Sequence, residues 1–208
     1  GLHLGPAPPP GRPPRPLTPS ALPDAPPAGP AGEALKLAAR RGIWLHRLFE
    51  RLPVLPPAER PAAARRWLAA QGADAAEAQA MTADVLAVLD DPALADLFAP
   101  DALAEAPIAG LVSGQAIAGT VDRLAIGDGH VRLVDFKTGL AVPASAAEVP
   151  RAHRQQMAAY AAVLAQAFPA HAVEAMLLYT AGPRLLRLDP AELAALAITQ
   201  PDEAAPTG

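Results

Sequence analysis

Residues 119–137 read GTVDRLAIGDGHVRLVDFK, and this stretch decides the fold. Gln115 to Ile126 and Val131 to Phe136 are strand-like runs, and Gly127-Asp128-Gly129 between them is a tight hairpin turn. Val131-Arg132-Leu133-Val134 is apolar enough for a central strand. Asp122 and Asp135, thirteen residues apart, then fall on adjacent strands with their carboxylates directed to one cleft. Two such acids repel unless a cation lies between them. Lys137 follows two residues after the second acid.

Outward from the hairpin, a strand precedes it over Ala104 to Val112, and Arg151 to Phe168 has helical spacing. Val173 to Thr180 and Arg184 to Leu188 read as further strands, and Pro190 to Ile198 as a short closing helix. Before the sheet come helices over Gly32 to Leu52, Pro57 to Gln71, Asp74 to Leu89 and, shorter, Pro92 to Phe98. In the first, Leu45, Leu48, Phe49 and Leu52 recur at three- and four-residue steps before Pro53 stops it. The order predicts an α/β (α+β) domain: a mixed central β-sheet flanked by helices, with an N-terminal helical region.

Twelve of the first thirty residues are proline, so residues 1–31 are expected to be an extended linker. The domain is expected over residues 32–200, with a frayed tail over 201–208. Gly1 stands in place of an initiator Met, which suggests a piece of a longer chain. With no cysteine, disulfides, thiolate metal sites and Cys nucleophiles drop out together. No apolar run is long enough to span a bilayer and no signal pattern opens the chain, so a cytoplasmic protein without membrane contact is expected.

A net charge of −4 argues against binding nucleic acid by bulk charge, but the distribution is uneven. Arg40, Arg41, Arg47, Arg51, Arg60, Arg65 and Arg66 crowd the first helical region, and Arg151, His153 and Arg154 open the later helix. They read either as a basic surface above an acidic pocket or as solvated helix faces. Lys36 and Lys137 are the chain's two lysines. A compact ammonium serves beside a scissile phosphate where a planar guanidinium does not. Otherwise Asp135 and Lys137 form a cross-sheet ion pair.

Four further positions could join the cleft. His46 lies on the first helix, four residues before Glu50 on the same face. Gln156 and Tyr160 share a face of the later helix, either as a polar edge or as a pair in which Gln156 hydrogen-bonds near Lys137 or the phosphate and Tyr160 braces it or touches the strand. Glu105 is an acid at the start of the first strand. Hard oxygen donors without sulfur point to Mg²⁺, with Mn²⁺ as a substitute.

The order of His46, Gly-Thr-Val-Asp122-Arg, Val-Asp135-Phe-Lys137-Thr-Gly and Gln156-Met-Ala-Ala-Tyr160 resembles the RecB-like branch of the PD-(D/E)XK nucleases, which have a restriction-endonuclease-like core. Arg41-Gly-x-x-x-His46-Arg-Leu-x-Glu50, the Glu105-x-Pro107 strand and Leu177-Leu-Tyr-Thr-Ala-Gly-Pro-Arg-Leu185 look most like the C-terminal nuclease domain of AddA, the helicase–nuclease subunit of bacterial AddAB complexes. The resemblance implies metal ligation by His46, Asp122, Asp135 and the backbone carbonyl of Phe136. Lys137 would act on the attacking water or the developing charge. It further implies a DNA exonuclease acting in double-strand break repair and recombination, tethered to an upstream helicase and partnered by an AddB-type subunit. The chain itself carries no Gly-x-x-x-x-Gly-Lys-Ser/Thr phosphate loop for such a motor. The alternative is a catalytically silent nuclease-fold module for DNA binding or subunit docking.

Overall fold

A computed structural model describes residues 33–137, 141–180 and 184–198. The proline-rich stretch, the C-terminal tail and the Thr138-Gly139 end of the second acidic motif lie outside the described residues. Helices α1 (Glu33–Arg51), α2 (Arg60–Ala70) and α3 (Ala75–Leu89) precede a 3₁₀ segment, Pro92–Phe98. Strands β1 (Leu103–Val112), β2 (Gln115–Gly127) and β3 (His130–Lys137) follow, then α4 (Arg151–Ala167), β4 (Ala172–Tyr179), β5 (Arg184–Arg187) and α5 (Pro190–Ile198). The spacing-derived boundaries agree with these to within about two residues, except that the helix expected from Pro57 opens with a 3₁₀ turn over Pro57–Glu59 ahead of α2.

The five strands pair in chain order, β1-β2-β3-β4-β5. All neighbours are antiparallel except β3 and β4, which run parallel because α4 carries the chain back across the sheet. This is the expected mixed sheet. Both faces are covered, so the two middle strands are apolar on alternate sides. Val134, Phe136, Met176 and Leu178 pack under α1–α3, while Leu133, Ala175 and Leu177 pack under α4 with Met157, Tyr160 and Val163. Burying each of the large side chains contributes on the order of 1.5–3 kcal/mol.

Local chemistry sets the ends of these elements. The Asp74 carboxylate accepts the Glu77 amide at 2.8 Å and starts α3, and Asp91 does the same for Ala93 at 2.9 Å ahead of the 3₁₀ segment. Arg132, buried in β3, ion-pairs with Asp96 and donates to the Ala93 carbonyl at 3.0 Å, so the segment is tied to the sheet by a charge whose partners travel with it. Gly110 lies against α4 so closely that a Cβ there would stand 2.8 Å from a Val163 methyl. A larger residue would push the helix off β1.

Candidate active site

The pleat of β2 slips at Asp122. Ile117 and Val121 face the α4 core, and strict alternation would put Arg123 with them. Instead Leu124 faces α4, while Arg123 points beneath α1 and Ala125 packs in the core there. Asp122 accordingly drops out of the ladder with both neighbours: β1 and β2 pair at Ala106–Val121 and again at Ala104–Arg123, and β2 and β3 from Arg123–Val134 onward. Opposite the slip Glu105 has φ +50°, a left-handed conformation uncommon outside glycine. The dislocation frees two carboxylates from the sheet faces and aims them at the end of α1.

Asp122 is then held from two sides. The backbone N–H of Phe136 donates to its Oδ2, taking up a donor on the β2 side of β3, and Oδ1 lies 2.6 Å from His46 Nε2. The same His46 nitrogen is 3.0 Å from Glu105 Oε1. Helix α1 is seated by Phe49, whose ring lies 5.0 Å from that of Phe136. The Arg123 guanidinium donates to the Phe49 carbonyl, one of the last four of α1 that have no partner within the helix, and covers the Phe98 ring at 5.2 Å. Arg123 in the Asp122-Arg123 pair thus docks the helix that brings His46. Sequence reading did not assign it this role; its signal is a charged residue beside an acid in an otherwise apolar strand.

The second acid belongs to a closed polar ring. Lys137 Nζ is 2.9 Å from Asp135 Oδ2 and donates to Gln156 Oε1, and Gln156 Nε2 donates back to Asp135 Oδ1 at 3.4 Å. Gln156 is 3% exposed in the second turn of α4, so the amide is placed by the helix rather than by solvent. The structure therefore joins Gln156 to Lys137. Tyr160, four residues on, is fully buried and cannot touch a substrate; it braces. Its Oη lies against Gly119, where any Cβ would collide with it. The absence of a side chain at Gly119 is what lets α4 approach β2 and carry Gln156 to the ring.

Burial drives the electrostatics. Desolvation pushes the Asp135 carboxyl up to about 6, opposed by Lys137 and reinforced by the nearby negative charge of Asp122. His46 is raised by its hydrogen bond to Asp122, with burial pulling the other way. Glu105 is raised by burial, with His46 opposing. Asp135, His46 and Glu105 thus hold their protons more tightly than they would in water.

One side of the site opens into a cleft of about 480 Å³ lined by Gly42, Ile43, His46, Arg47, Glu50, Glu105 and Phe136. Ligand atoms of His46, Glu50 and Glu105 all lie within 4.8 Å of one another. Glu50 was legible only as a neighbour of His46 on the helix; docking of α1 puts it in the cleft. The donor set of one imidazole nitrogen and several carboxylate oxygens fits a hard or borderline divalent cation. His46 Nε2 lies within 3.0 Å of both the Asp122 and the Glu105 carboxylates, so the three donors converge on one point.

A mixed sheet that delivers two acids and a lysine from neighbouring strands, with helices on both faces, defines the restriction-endonuclease-like class. The chain matches the profile of the PD-(D/E)XK nuclease superfamily over residues 22–206 and belongs to that superfamily. Among solved structures, that of SSO0001 is similar, with a TM-score of 0.32 and 16% identity over 79% of this chain and 82% of that one. No curated protein matches the chain significantly. Among the described residues no helix is long and apolar enough to cross a membrane.

Proposed function

We propose that this chain is a Mg²⁺- or Mn²⁺-dependent deoxyribonuclease domain that hydrolyses phosphodiester bonds of DNA. The observation that carries the reading is the meeting, at the slip in β2 and the C-terminal end of β3, of the His46–Asp122 pair with the Asp135–Lys137–Gln156 ring. His46, Asp122, Asp135 and the Phe136 carbonyl would hold the cation, with Glu105 beside them. A bound divalent ion there supplies Lewis acidity and a water acidic enough to attack at neutral pH. Lys137 supplies a fixed ammonium for the attacking oxygen and the charge growing on the phosphoryl group. Gln156 keeps that ammonium from folding back onto Asp135 alone, because its carbonyl takes a second Nζ proton while its NH₂ holds the carboxylate.

The finer reading follows the motif order. We place the domain with the AddA-type nucleases, as an exonuclease fed by a helicase motor of the same polypeptide through the proline-rich segment. An AddB-type subunit is the partner, and the work is double-strand break repair in the cytoplasm. The support is the combined set of His46, Asp122, Asp135, Lys137, Gln156 and Tyr160 at family spacing.

The test is digestion of end-labelled DNA with Mg²⁺, with Mn²⁺ and with EDTA, alongside Lys137→Ala and Asp122→Ala. Metal-dependent cutting should fall at least a hundredfold in both variants, the scale of losing one preorganised charge-stabilising group. Cutting that persists in both, or in EDTA, rejects the assignment. A folded chain that binds metal but never cuts would mark a silent docking module.

A further inference from the structure

The cleft does not end at the acids. Ile43 and Arg47, which line it, begin a stripe that continues along α1 to Arg51, at steps of four residues, or about 6 Å each. All three side chains are turned outward: Ile43 is 61% exposed, Arg47 is 54% exposed and Arg51 is exposed. At the far end the Arg51 guanidinium stands 5.8 Å from the ring centroid of Trp67, which α2 contributes half-buried. Next to it Arg65 and Arg66 are exposed, and neither has an ion pair among the described residues.

Three features set this stripe apart from an ordinary solvated helix face. A large apolar side chain sits at the mouth of a polar cleft, where folding alone gives no reason to place it. Its basic members lie in line with the cleft. The line ends on an aromatic ring that carries a cation. Arg47 does pair with Glu50 at 2.9 Å, but an exposed pair of this kind contributes little and exchanges readily for a phosphate.

We propose that Ile43, Arg47, Arg51 and Trp67 form the track along which a single nucleic-acid strand reaches the acids. This inference rests on the nuclease reading and deepens it. Successive phosphates meet Arg47 and Arg51, while the faces of unpaired bases rest on Ile43 and on Trp67. A duplex would present phosphates alone along its outside and leave the two apolar side chains uncovered. The track therefore selects the unpaired strand.

Trp67 supplies the readout, since the chain has two tryptophans and Trp44, at 6% exposure, is buried. The full chain is titrated with oligothymidylate in EDTA, so that binding is seen without cutting. Fluorescence quenching is expected, and Trp67→Phe should abolish it. Arg47→Ala and Arg51→Ala should each lower the slope of log affinity against log salt by about 0.7, the value of one phosphate contact on a single strand. Arg51→Lys should restore the slope, which guards against a folding defect. Ile43→Ser should weaken binding severalfold with the slope unchanged. An unquenched tryptophan, a slope indifferent to Arg51, or equal competition by a blunt duplex would overturn the track. Metal-dependent cutting lost in Lys137→Ala would still stand in that case, so the two readings fail separately. Quenching without any cutting would keep the track and remove the nuclease.

Discussion

The metal-free fold should lose stability as pH rises, and Asp135 sets the scale. Its carboxyl ionises at about 6 in the folded chain against an ordinary 3.8, so the folded state holds an extra proton between those values. At about 1.4 kcal/mol per pH unit the ionised form costs the fold about 3 kcal/mol at neutral pH. The sign follows: a raised folded-state value gives stability that is full below pH 3.8 and is lost as pH passes through 6. His46 and Glu105 are raised too and act in the same direction, His46 losing its contribution as pH climbs above 6.5. For a domain of this size, 3 kcal/mol corresponds to roughly 6–12 °C in Tm. A divalent cation that binds the ionised site should reverse the loss, by about 2.7 kcal/mol at a hundred times its Kd.

The assay is urea unfolding in EDTA at pH 4.5, 6 and 8, for the wild type and for Asp135→Asn, repeated at pH 8 with Mn²⁺. Carboxylates elsewhere add their own pH dependence, so the quantity to read is the difference between the two proteins. That difference should grow by about 2 kcal/mol from pH 4.5 to pH 8, since about a third of the effect is already lost at pH 4.5, with the asparagine variant gaining relative to the wild type. Mn²⁺ at pH 8 should stabilise the wild type and leave the variant nearly unmoved. Parallel pH curves would refute the idea that Asp135 is ionised at the fold's expense, and equal stabilisation by Mn²⁺ would place the cation elsewhere.

Two shorter tests concern the scaffold. Gly119→Ala should cost 1–3 kcal/mol through overpacking on Tyr160 and depress cutting by displacing Gln156, and adding Tyr160→Phe should recover part of both; a double variant no better than the single one would show that the Oη contact is not what limits α4. Asp74→Ala should lower stability by about 1 kcal/mol in thermal melts through loss of the α3 cap, with cutting at permissive temperature untouched, and a drop in cutting would mean that α3 reaches the site.

Much of this protein can be read from its chain. The Gly127-Asp128-Gly129 turn and the apolar run after it put Asp122 and Asp135 on neighbouring strands, because strand periodicity and turn chemistry are local. Helical spacing puts Gln156 on one face with Tyr160, but its choice of Lys137 as partner comes from how α4 packs on the sheet. Glu105 was harder, since its reach into the cleft depends on a left-handed backbone that nothing in a Glu-Ala-Pro sequence announces. The slip of the pleat at Asp122 is equally silent: alternation written onto residues 115–126 predicts Arg123 on the wrong face. Glu50 enters the cleft only because Phe49, Phe136 and Arg123 fix how α1 sits on the sheet. Tyr160, a polar residue on a helix face, reads like a surface contact until Gly119 is seen opposite it.

The ring of Asp135, Lys137 and Gln156 also constrains how this chain can change over generations. Each member satisfies the other two in a place from which water is largely excluded, so losing one strands a charge or an amide at a cost of several kcal/mol. Drift cannot remove the lysine and leave the rest as harmless relics. A lineage that abandons the chemistry has to replace all three positions close together in time, trading a polar trio for apolar packing. The machinery is therefore protected by the stability of its own scaffold, and selection against unfolding preserves it even through intervals when the reaction itself is not required.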